Sequence, residues 1–166
     1  HIPLEFLLRG LIDFFDLPMS SFSPGPVNQS PFVIKQWNVG ASICYEIAYA
    51  NLIARSAKNS DFFITVSNDS WFGESIGPLQ HFQMARMRAL ENSRYLVRGT
   101  NNGISAVIDH KGQMVNQGQQ FTREIVTGYV QAMSGNTPFS TTGDWPVIIL
   151  SLITVIAISL RAKQSL

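Results

Sequence analysis

The chain of 166 residues contains only one cysteine, Cys44, and three histidines. A single thiol cannot form a disulfide within the chain, and these few Cys and His residues lack the regular spacing that a zinc site needs. No glycine-rich phosphate loop occurs either. The sequence therefore excludes an internal disulfide framework, and we expect no metal and no cofactor.

Charge is also scarce. Charged residues make up 14% of the chain, below the roughly 25% that is usual for soluble domains. The net charge of +1 provides neither a basic field for nucleic acid nor an acidic tail, so we expect no nucleic-acid partner. The length suits one domain with a core. Because the chain begins with histidine and has no signal-peptide pattern, we expect a piece of a longer protein.

Strand and helix patterns alternate along most of the chain. Strands are predicted at 32–34, 39–43, 61–67, 104–108 and 125–130, and helices at 4–15, 47–57 and 79–97. We expect the 61–67 strand to be buried on both faces and 109–112 to form a hairpin turn. The predicted packing face of the 79–97 helix comprises Phe82, Ala85, Ala89, Ser93 and Leu96. The alternation predicts an α/β layered domain.

Two further segments have distinctive compositions. Residues 16–31 are rich in Pro, Ser and Gly and predict a loop; its apolar residues either pin it to the domain or touch lipid. The run from Val147 to Leu160 has no charged residue; Trp145 precedes it, and Arg161 and Lys163 follow it. As a helix from Trp145 it would be about 24 Å long, so its length alone also fits a buried helix.

The borders of this run favour a transmembrane helix. An aromatic residue stands at one end, and cationic residues that can snorkel stand at the other. The run also lacks the polar face that a buried core helix usually shows. The positive-inside rule then places the C-terminus in the cytoplasm and the globular domain on the other side of the membrane.

Cys44 ends a strand-like run, and Glu46 lies two residues on. The thiol is either inert core filling or a nucleophile, and a turn after a strand with a nearby carboxylate favours the nucleophile. Glu46 is a base, a hydrogen-bond acceptor beside the site, or an acidic residue that complements the N-terminus of the following helix. The sequence alone leaves these roles open.

Other candidates have structural alternatives. His81 could pair with the thiol, but capping or packing suits a residue at a helix start better. Lys35 could bind an oxyanion, although a lysine at a strand edge usually faces solvent. Asn68 and Asp69 are expected to form a loop through bonds to their own backbone. Trp71 either packs in the core or contacts substrate.

Four segments carry a resemblance to a known family. They are Ala41–Glu46, Val66–Gly73, Gly77–Glu91 and Thr100–Ser105, and the stretches 15–23 and 142–146 add to it. Together they resemble the apolipoprotein N-acyltransferases, which are integral-membrane members of the nitrilase, or carbon-nitrogen hydrolase, superfamily. The resemblance covers nearly the whole chain.

The resemblance implies part of an αββα sandwich followed by one C-terminal transmembrane helix. The implied division is 1–135 for the C-terminal part of the catalytic domain, 136–144 for a linker, 145–161 for the membrane helix and 162–166 for a cytoplasmic tail. A Cys-Glu-Lys triad is implied, with Cys44 as the nucleophile. The general-base glutamate, the lysine and a further active-site glutamate would precede His1, so the piece alone would be inactive.

The remaining implied site residues are Tyr45 and Glu46, which support the nucleophile, and Trp71 and Asn68, which contact substrate. The implied activity moves a fatty acyl chain from a phospholipid to the α-amino group of a diacylglyceryl-cysteine lipoprotein through a thioester on Cys44. The implied location is the bacterial inner membrane, with the catalytic domain in the periplasm, and we expect a monomer. The alternatives are a membrane-anchored amidase and a non-catalytic membrane-anchored domain.

Overall fold

The computed structural model describes residues 25–26 and 29–164, and it describes side chains as far as Arg161. The helix predicted at 4–15, most of the 16–31 loop and the 15–23 motif lie outside the described residues. Within them, six strands form one sheet in the order β1-β2-β3-β4-β5-β6. The strands are β1 (Phe32–Ile34), β2 (Trp37–Ile43), β3 (Phe62–Ser67), β4 (Leu96–Thr100), β5 (Ala106–Ile108) and β6 (Met114–Gln117). The helices are α1 (Ala50–Ala57), α2 (Gly77–Asn92), α3 (Pro138–Thr142) and α4 (Trp145–Gln164).

The centre of the sheet is parallel. β2, β3 and β4 run in the same direction, whereas β1, β5 and β6 are antiparallel to their neighbours. α1 connects β2 to β3, and α2 connects β3 to β4. Because parallel strands end at the same edge of a sheet, the segments that follow β2, β3 and β4 are brought together there.

The core lies between one face of this sheet and the helices. The strand register places Gly40, Phe63, Leu96 and Ile108 side by side across four strands. The three large side chains of this row are buried and pack with Ala85 and Ala89 of α2. These alanines are four residues apart, so both small side chains face the sheet and let the helix approach it. The opposite face is more open, since Ile43 and Val66 are exposed. Among the described residues, β3 is therefore fully buried on one face only, whereas burial on both faces was predicted.

The predicted 79–97 helix is too long at its C-terminal end. α2 ends at Asn92 because Ser93 adopts a left-handed conformation, with φ of +50°, and its N–H caps the last turn. Leu96 is buried as predicted, but it is the first residue of β4. Helical spacing alone could not distinguish these cases, because an apolar residue at that position suits either element.

Two other predicted elements also differ from the structure. The segment Cys44–Ala48 forms a 3-10 turn, so the regular helix α1 begins only at Ala50. The predicted strand at 125–130 has no regular secondary structure. The partner of β5 is instead β6, across the predicted turn at 109–112.

The C-terminal run forms the 20-residue helix α4. Its described large apolar side chains are exposed. Thr154 and Ser159 donate their hydroxyl hydrogens to the carbonyls of Leu150 and Val155, four residues earlier in the same helix. Across the described part of the chain, no helix combines the length and the apolarity needed for a membrane crossing. The helix was therefore predicted correctly, whereas its transmembrane placement is not supported by the structure.

We expect Leu96→Ala to lower the thermal midpoint of the full-length protein much more than Leu90→Ala. Leu96 is fully buried in β4, and emptying such a site costs about 2–5 kcal/mol. Leu90 lies on α2 with nearly half its surface exposed, and changes at such sites usually alter stability by about 0.5 kcal/mol or less. Tryptophan fluorescence on heating measures both variants, and equal midpoints would contradict the assignment of Leu96 to the core.

Candidate active site

Cys44 lies immediately after β2, at the edge where the parallel strands end. Its backbone has a φ of +52°, in the left-handed region, and its thiol is free and partly exposed. This conformation costs a residue with a Cβ roughly 1–2 kcal/mol. We call the 3-10 turn Cys44–Ala48 the nucleophile turn. Its backbone reverses sharply after the strand, as at other strand-to-helix turns that present a nucleophile.

Glu46 stabilises the start of this turn. Its Oε2 atom accepts a hydrogen bond of 2.7 Å from the backbone N–H of Ile43, the residue before the nucleophile. The side chain is otherwise exposed. Of the roles considered from sequence, the geometry favours that of a hydrogen-bond acceptor beside the site.

Ser67 ends β3 and brings a hydroxyl to the thiol. Its Oγ lies 3.5 Å from Cys44 Sγ and 2.7 Å from Asp69 Oδ1. The parallel register pairs Ile43 with Val66, so the next residue of each strand lies at the same edge of the sheet. The Ser67 hydroxyl is the donor in both contacts, and the shorter distance indicates that Asp69 is its main acceptor and the Cys44 sulfur its weaker one.

Behind Ser67 lies a buried charge cluster, formed by Asp69, His81 and Arg98. The two oxygens of Asp69 have separate partners, since Arg98 Nη2 lies 2.8 Å from Oδ2 and His81 Nδ1 lies 2.9 Å from Oδ1. The other ring nitrogen of His81, Nε2, lies 3.2 Å from the backbone carbonyl oxygen of Cys44. The cluster therefore joins β4 and α2 to the backbone of the nucleophile.

All three side chains are almost completely shielded from water; their exposed fractions are 0% for Asp69 and 2% for His81 and Arg98. Burial by itself would raise the pKa of Asp69, but hydrogen bonds from His81 and Ser67 and the charges of Arg98 and His81 outweigh it and lower that pKa. Burial lowers the pKa of Arg98, and the Asp69 carboxylate opposes this. Asp69 is therefore a carboxylate at neutral pH and holds the cluster together.

The other candidates from the sequence, Tyr45, Trp71 and Asn68, are not part of the buried charge cluster. Tyr45 is in the nucleophile turn, and its ring is more than half exposed. Trp71 projects into solvent, with 87% of its surface exposed, so core packing within the described residues was the wrong alternative. Asn68 Oδ1 accepts hydrogen bonds from Ser70 N at 3.2 Å and from Asn101 Nδ2 at 3.1 Å, which is the loop-forming role.

The structure also places Lys35 and His81, which were considered from the sequence. Lys35 is exposed in the β1–β2 turn, at the opposite end of the seven-residue strand β2 from Cys44. A strand of that length spans about 23 Å, so Lys35 is too distant to serve the thiol. His81 contacts the backbone of Cys44, and the structure gives it no bond to Sγ. In the stretch that the structure describes, no three Cys, His, Asp or Glu side chains gather as a metal site would require.

Sequence reasoning missed Ser67 and Arg98 and treated Asp69 as a loop former. The one available signal was Arg98, a charged residue that follows Leu96 and Val97 in a strand-like run. A charge in such a position needs a buried partner. The overlong helix hid this signal, because it assigned Leu96 and Val97 to a helix and left Arg98 just beyond its end, where an arginine raises no such question.

The chain matches a known protein family, and its fold resembles solved structures. Residues 14–139 match the model of the carbon-nitrogen hydrolase family. A carbon-nitrogen hydrolase from Helicobacter pylori superposes with a TM-score of 0.56 at 17% identity, covering 63% of this chain and 44% of that one. The NitFhit protein of C. elegans gives 0.52 at 24% identity, covering 59% and 26%. These likenesses confirm the predicted nitrilase-type α/β fold.

The chain is also similar to proteins named apolipoprotein N-acyltransferase. It is 47% identical to that of Azotobacter vinelandii over 153 residues, which are 92% of this chain and 30% of the relative. It is likewise 47% identical to that of Pasteurella multocida over 157 residues, which are 94% of this chain and 30% of the relative. The resemblance seen in the motifs is confirmed, and the chain spans about a third of the length of these relatives.

We predict that Glu46→Gln keeps most of the reactivity of Cys44 in the full-length protein, whereas Glu46→Ala loses at least about tenfold. Gln retains an oxygen that can accept from the N–H of Ile43, and Ala does not. The rate of Cys44 alkylation by iodoacetamide measures the effect, with Glu74→Ala at an exposed position as the control. If Gln and Ala are equally impaired, the carboxylate charge matters more than the hydrogen bond.

Asp69 should make the thermal stability of the protein depend on pH in the acidic range. Because its folded-state pKa is lowered, its contribution is complete above the ordinary value of 3.8 and is lost as the pH falls through the lower folded value. We therefore expect Asp69→Asn to lower the thermal midpoint at pH 7 and to reduce the further fall below pH 3.8. The loss at pH 7 should be about 3–5 kcal/mol, because Arg98 is left buried without its counterion.

The control for this experiment is Glu74→Gln at an exposed site, which should keep the acid dependence of the unaltered protein. Thermal midpoints between pH 7 and pH 3 provide the comparison. An Asp69→Asn protein that matches the unaltered one at every pH would show that the ion pair contributes nothing to stability.

Proposed function

Because the chain belongs to the carbon-nitrogen hydrolase family, we propose that the protein containing it transfers a fatty acyl chain from a phospholipid to the α-amino group of a diacylglyceryl-cysteine lipoprotein. The observation that carries this proposal is a free thiol on a residue with a left-handed backbone conformation, within a chain 47% identical over 92% of its length to a protein named for that activity. Cys44 is the proposed nucleophile.

In the first stage the Cys44 thiolate attacks the carbonyl carbon of a phospholipid ester. A C–S bond forms, the ester C–O bond breaks, and the lysophospholipid leaves with a proton on its new hydroxyl. In the second stage the uncharged amine of the lipoprotein attacks the thioester carbonyl. A C–N bond forms, the C–S bond breaks, the amine loses a proton, and Cys44 is regenerated.

The described residues supply part of this machinery. Ser67 contacts the thiol, Glu46 holds the backbone before it, and the buried charge cluster holds its carbonyl. The exposed ring of Trp71 and the neighbouring Asn68 are the proposed contacts for substrate. The general-base glutamate and the oxyanion-binding lysine are proposed to lie upstream of His1, and we propose that the chain is inactive without them.

The surfaces left open on the described part support two further assignments. The exposed apolar side chains Ile43 and Val66 would be covered by the second sheet of an αββα sandwich, which upstream residues would form. The exposed apolar side chains of α4 would be buried against lipid. A bilayer contact beside the catalytic domain suits lipid substrates, because tethering raises their effective concentration.

The full-length protein, incubated with phospholipid that carries a labelled acyl chain, should acquire label on Cys44. Neutral hydroxylamine should remove that label, because it cleaves thioesters, and adding a diacylglyceryl-cysteine peptide should move the label onto the peptide amine. Cys44→Ser should lower transfer to the peptide at least about a thousandfold, since a serine hydroxyl is a far weaker nucleophile than a cysteine thiolate.

The main alternative is a membrane-anchored amidase, which would release ammonia from small amides without phospholipid. Both activities share the acyl-enzyme, so the acyl acceptor distinguishes them. Label that never reaches the peptide while small amides are hydrolysed would overturn the acyltransferase proposal. Full transfer by Cys44→Ser would overturn the role of the thiol.

A further inference from the structure

We infer that His81 is a positioning residue for the nucleophile and that it acts as an imidazolium cation, with both ring N–H groups donating to fixed oxygens. One oxygen is the backbone carbonyl of Cys44, and the other belongs to the Asp69 carboxylate. This inference rests on the proposed role of Cys44 as a nucleophile and adds a residue to that site.

The donors and acceptors around the ring determine its charge. A backbone carbonyl and an ionised carboxylate can only accept hydrogen bonds. Nδ1 lies 2.9 Å from Asp69 Oδ1 and Nε2 lies 3.2 Å from the carbonyl oxygen of Cys44. A neutral imidazole has one N–H and would direct a lone pair at one of these oxygens. Arg98 Nη2, at 3.2 Å from Nδ1, is a donor from which a neutral ring would accept, but its closer partner is Asp69 Oδ2 at 2.8 Å. The doubly protonated ring is the form that donates to both oxygens.

The charges around the ring come from each element packed against it. Asp69 follows β3 and carries a negative charge, and Arg98 of β4 carries a positive charge with Nη2 only 3.2 Å from Nδ1. Arg98 opposes a second cation, but its Nη2 also lies 2.8 Å from Asp69 Oδ2, so the carboxylate separates the two cations electrostatically. The titratable groups on the nucleophile turn are Cys44, Tyr45 and Glu46. The ring centre of Tyr45 lies 6.2 Å from that of His81, and the Glu46 carboxylate accepts from the N–H of Ile43.

With His81 protonated, the buried charge cluster has one negative and two positive charges. The remaining positive charge lies directly behind the backbone of Cys44 and favours the thiolate over the neutral thiol. The hydrogen bond to the Cys44 carbonyl also holds the peptide group that follows the left-handed residue. His81 thus links the charge of the cluster to the geometry of the nucleophile turn.

Two substitutions separate these effects. His81→Gln can place an N–H near the position of Nε2, and His81→Asn can place one near that of Nδ1, while both remove the charge. In the full-length protein we expect the pH profile of Cys44 alkylation to move to higher pH in both variants. We expect acyl transfer to fall in both, with about tenfold more remaining in His81→Gln, because it keeps the bond to the Cys44 carbonyl.

The control is His110→Gln, since His110 lies against Tyr95 in the turn after β5, away from the nucleophile turn. It should leave the alkylation profile unchanged. Alkylation needs no acyl donor, so this readout stands even if the proposed substrates are wrong. Unchanged profiles in both His81 variants would overturn the inference, as would equal transfer by Gln and Asn.

Nitrogen NMR tests the charge of the His81 ring in the unaltered protein. In full-length protein with ¹⁵N-labelled histidine, the His81 signals are those absent from His81→Gln. At pH 7 both ring nitrogens should show the shifts of protonated nitrogen. One protonated and one unprotonated nitrogen would identify a neutral ring and overturn the inference.

Discussion

The ion pair between Asp69 and Arg98 is the interaction on which the site depends. Both side chains are removed from water, and removing one partner of such a pair usually costs about 3–5 kcal/mol. Asp69 stands in the 3-10 turn after β3, and Arg98 is in the middle of β4. The same carboxylate also accepts from Ser67 and contacts His81. It therefore positions both the residue that contacts the Cys44 thiol and the residue that contacts the Cys44 carbonyl.

The surrounding fold is arranged to make this cluster possible. Parallel pairing of β2, β3 and β4 brings their carboxyl ends to one edge, and α2 crosses that edge with His81 near its first turn. The loop after β4 contributes Gly103, where any side chain would collide with the Asp69 carboxylate. The absence of a side chain at this position lets the loop cover the ion pair and exclude water from it.

Local patterns in the sequence were sufficient for much of the fold. The alternating and apolar runs identified β1, β2 and β3, and the Asp109–Gly112 turn was recognised from its residues. The patterns failed where a tertiary contact decided the outcome. Nothing near Ser93 signals a left-handed residue, so the helical spacing seemed to continue to Leu96. The apolar residues at 125–130 suggested a strand, although pairing with β5 went to the more polar β6.

The site was predictable only in part, for the same reason. Cys44 and Glu46 were found because their chemistry and their turn are local in sequence. Ser67 lies 23 residues from Cys44, and Arg98 reaches the site only through Asp69, so the sequence did not connect them with the thiol. His81 was considered as a partner of the thiol, whereas it contacts the backbone carbonyl of Cys44. Asp69 was assigned to the loop because an Asp after a strand usually serves its own backbone, whereas its partners here lie on α2 and β4.

The hydroxyl groups of α4 have a consequence for how this helix can associate with others. Thr154 and Ser159 already give their hydrogens to carbonyls of their own helix. Pairing between helices in an apolar medium draws much of its selectivity from polar side chains that bond across the contact. These two hydroxyls have no hydrogen left to donate outward, so neither can serve as a donor to a neighbouring helix.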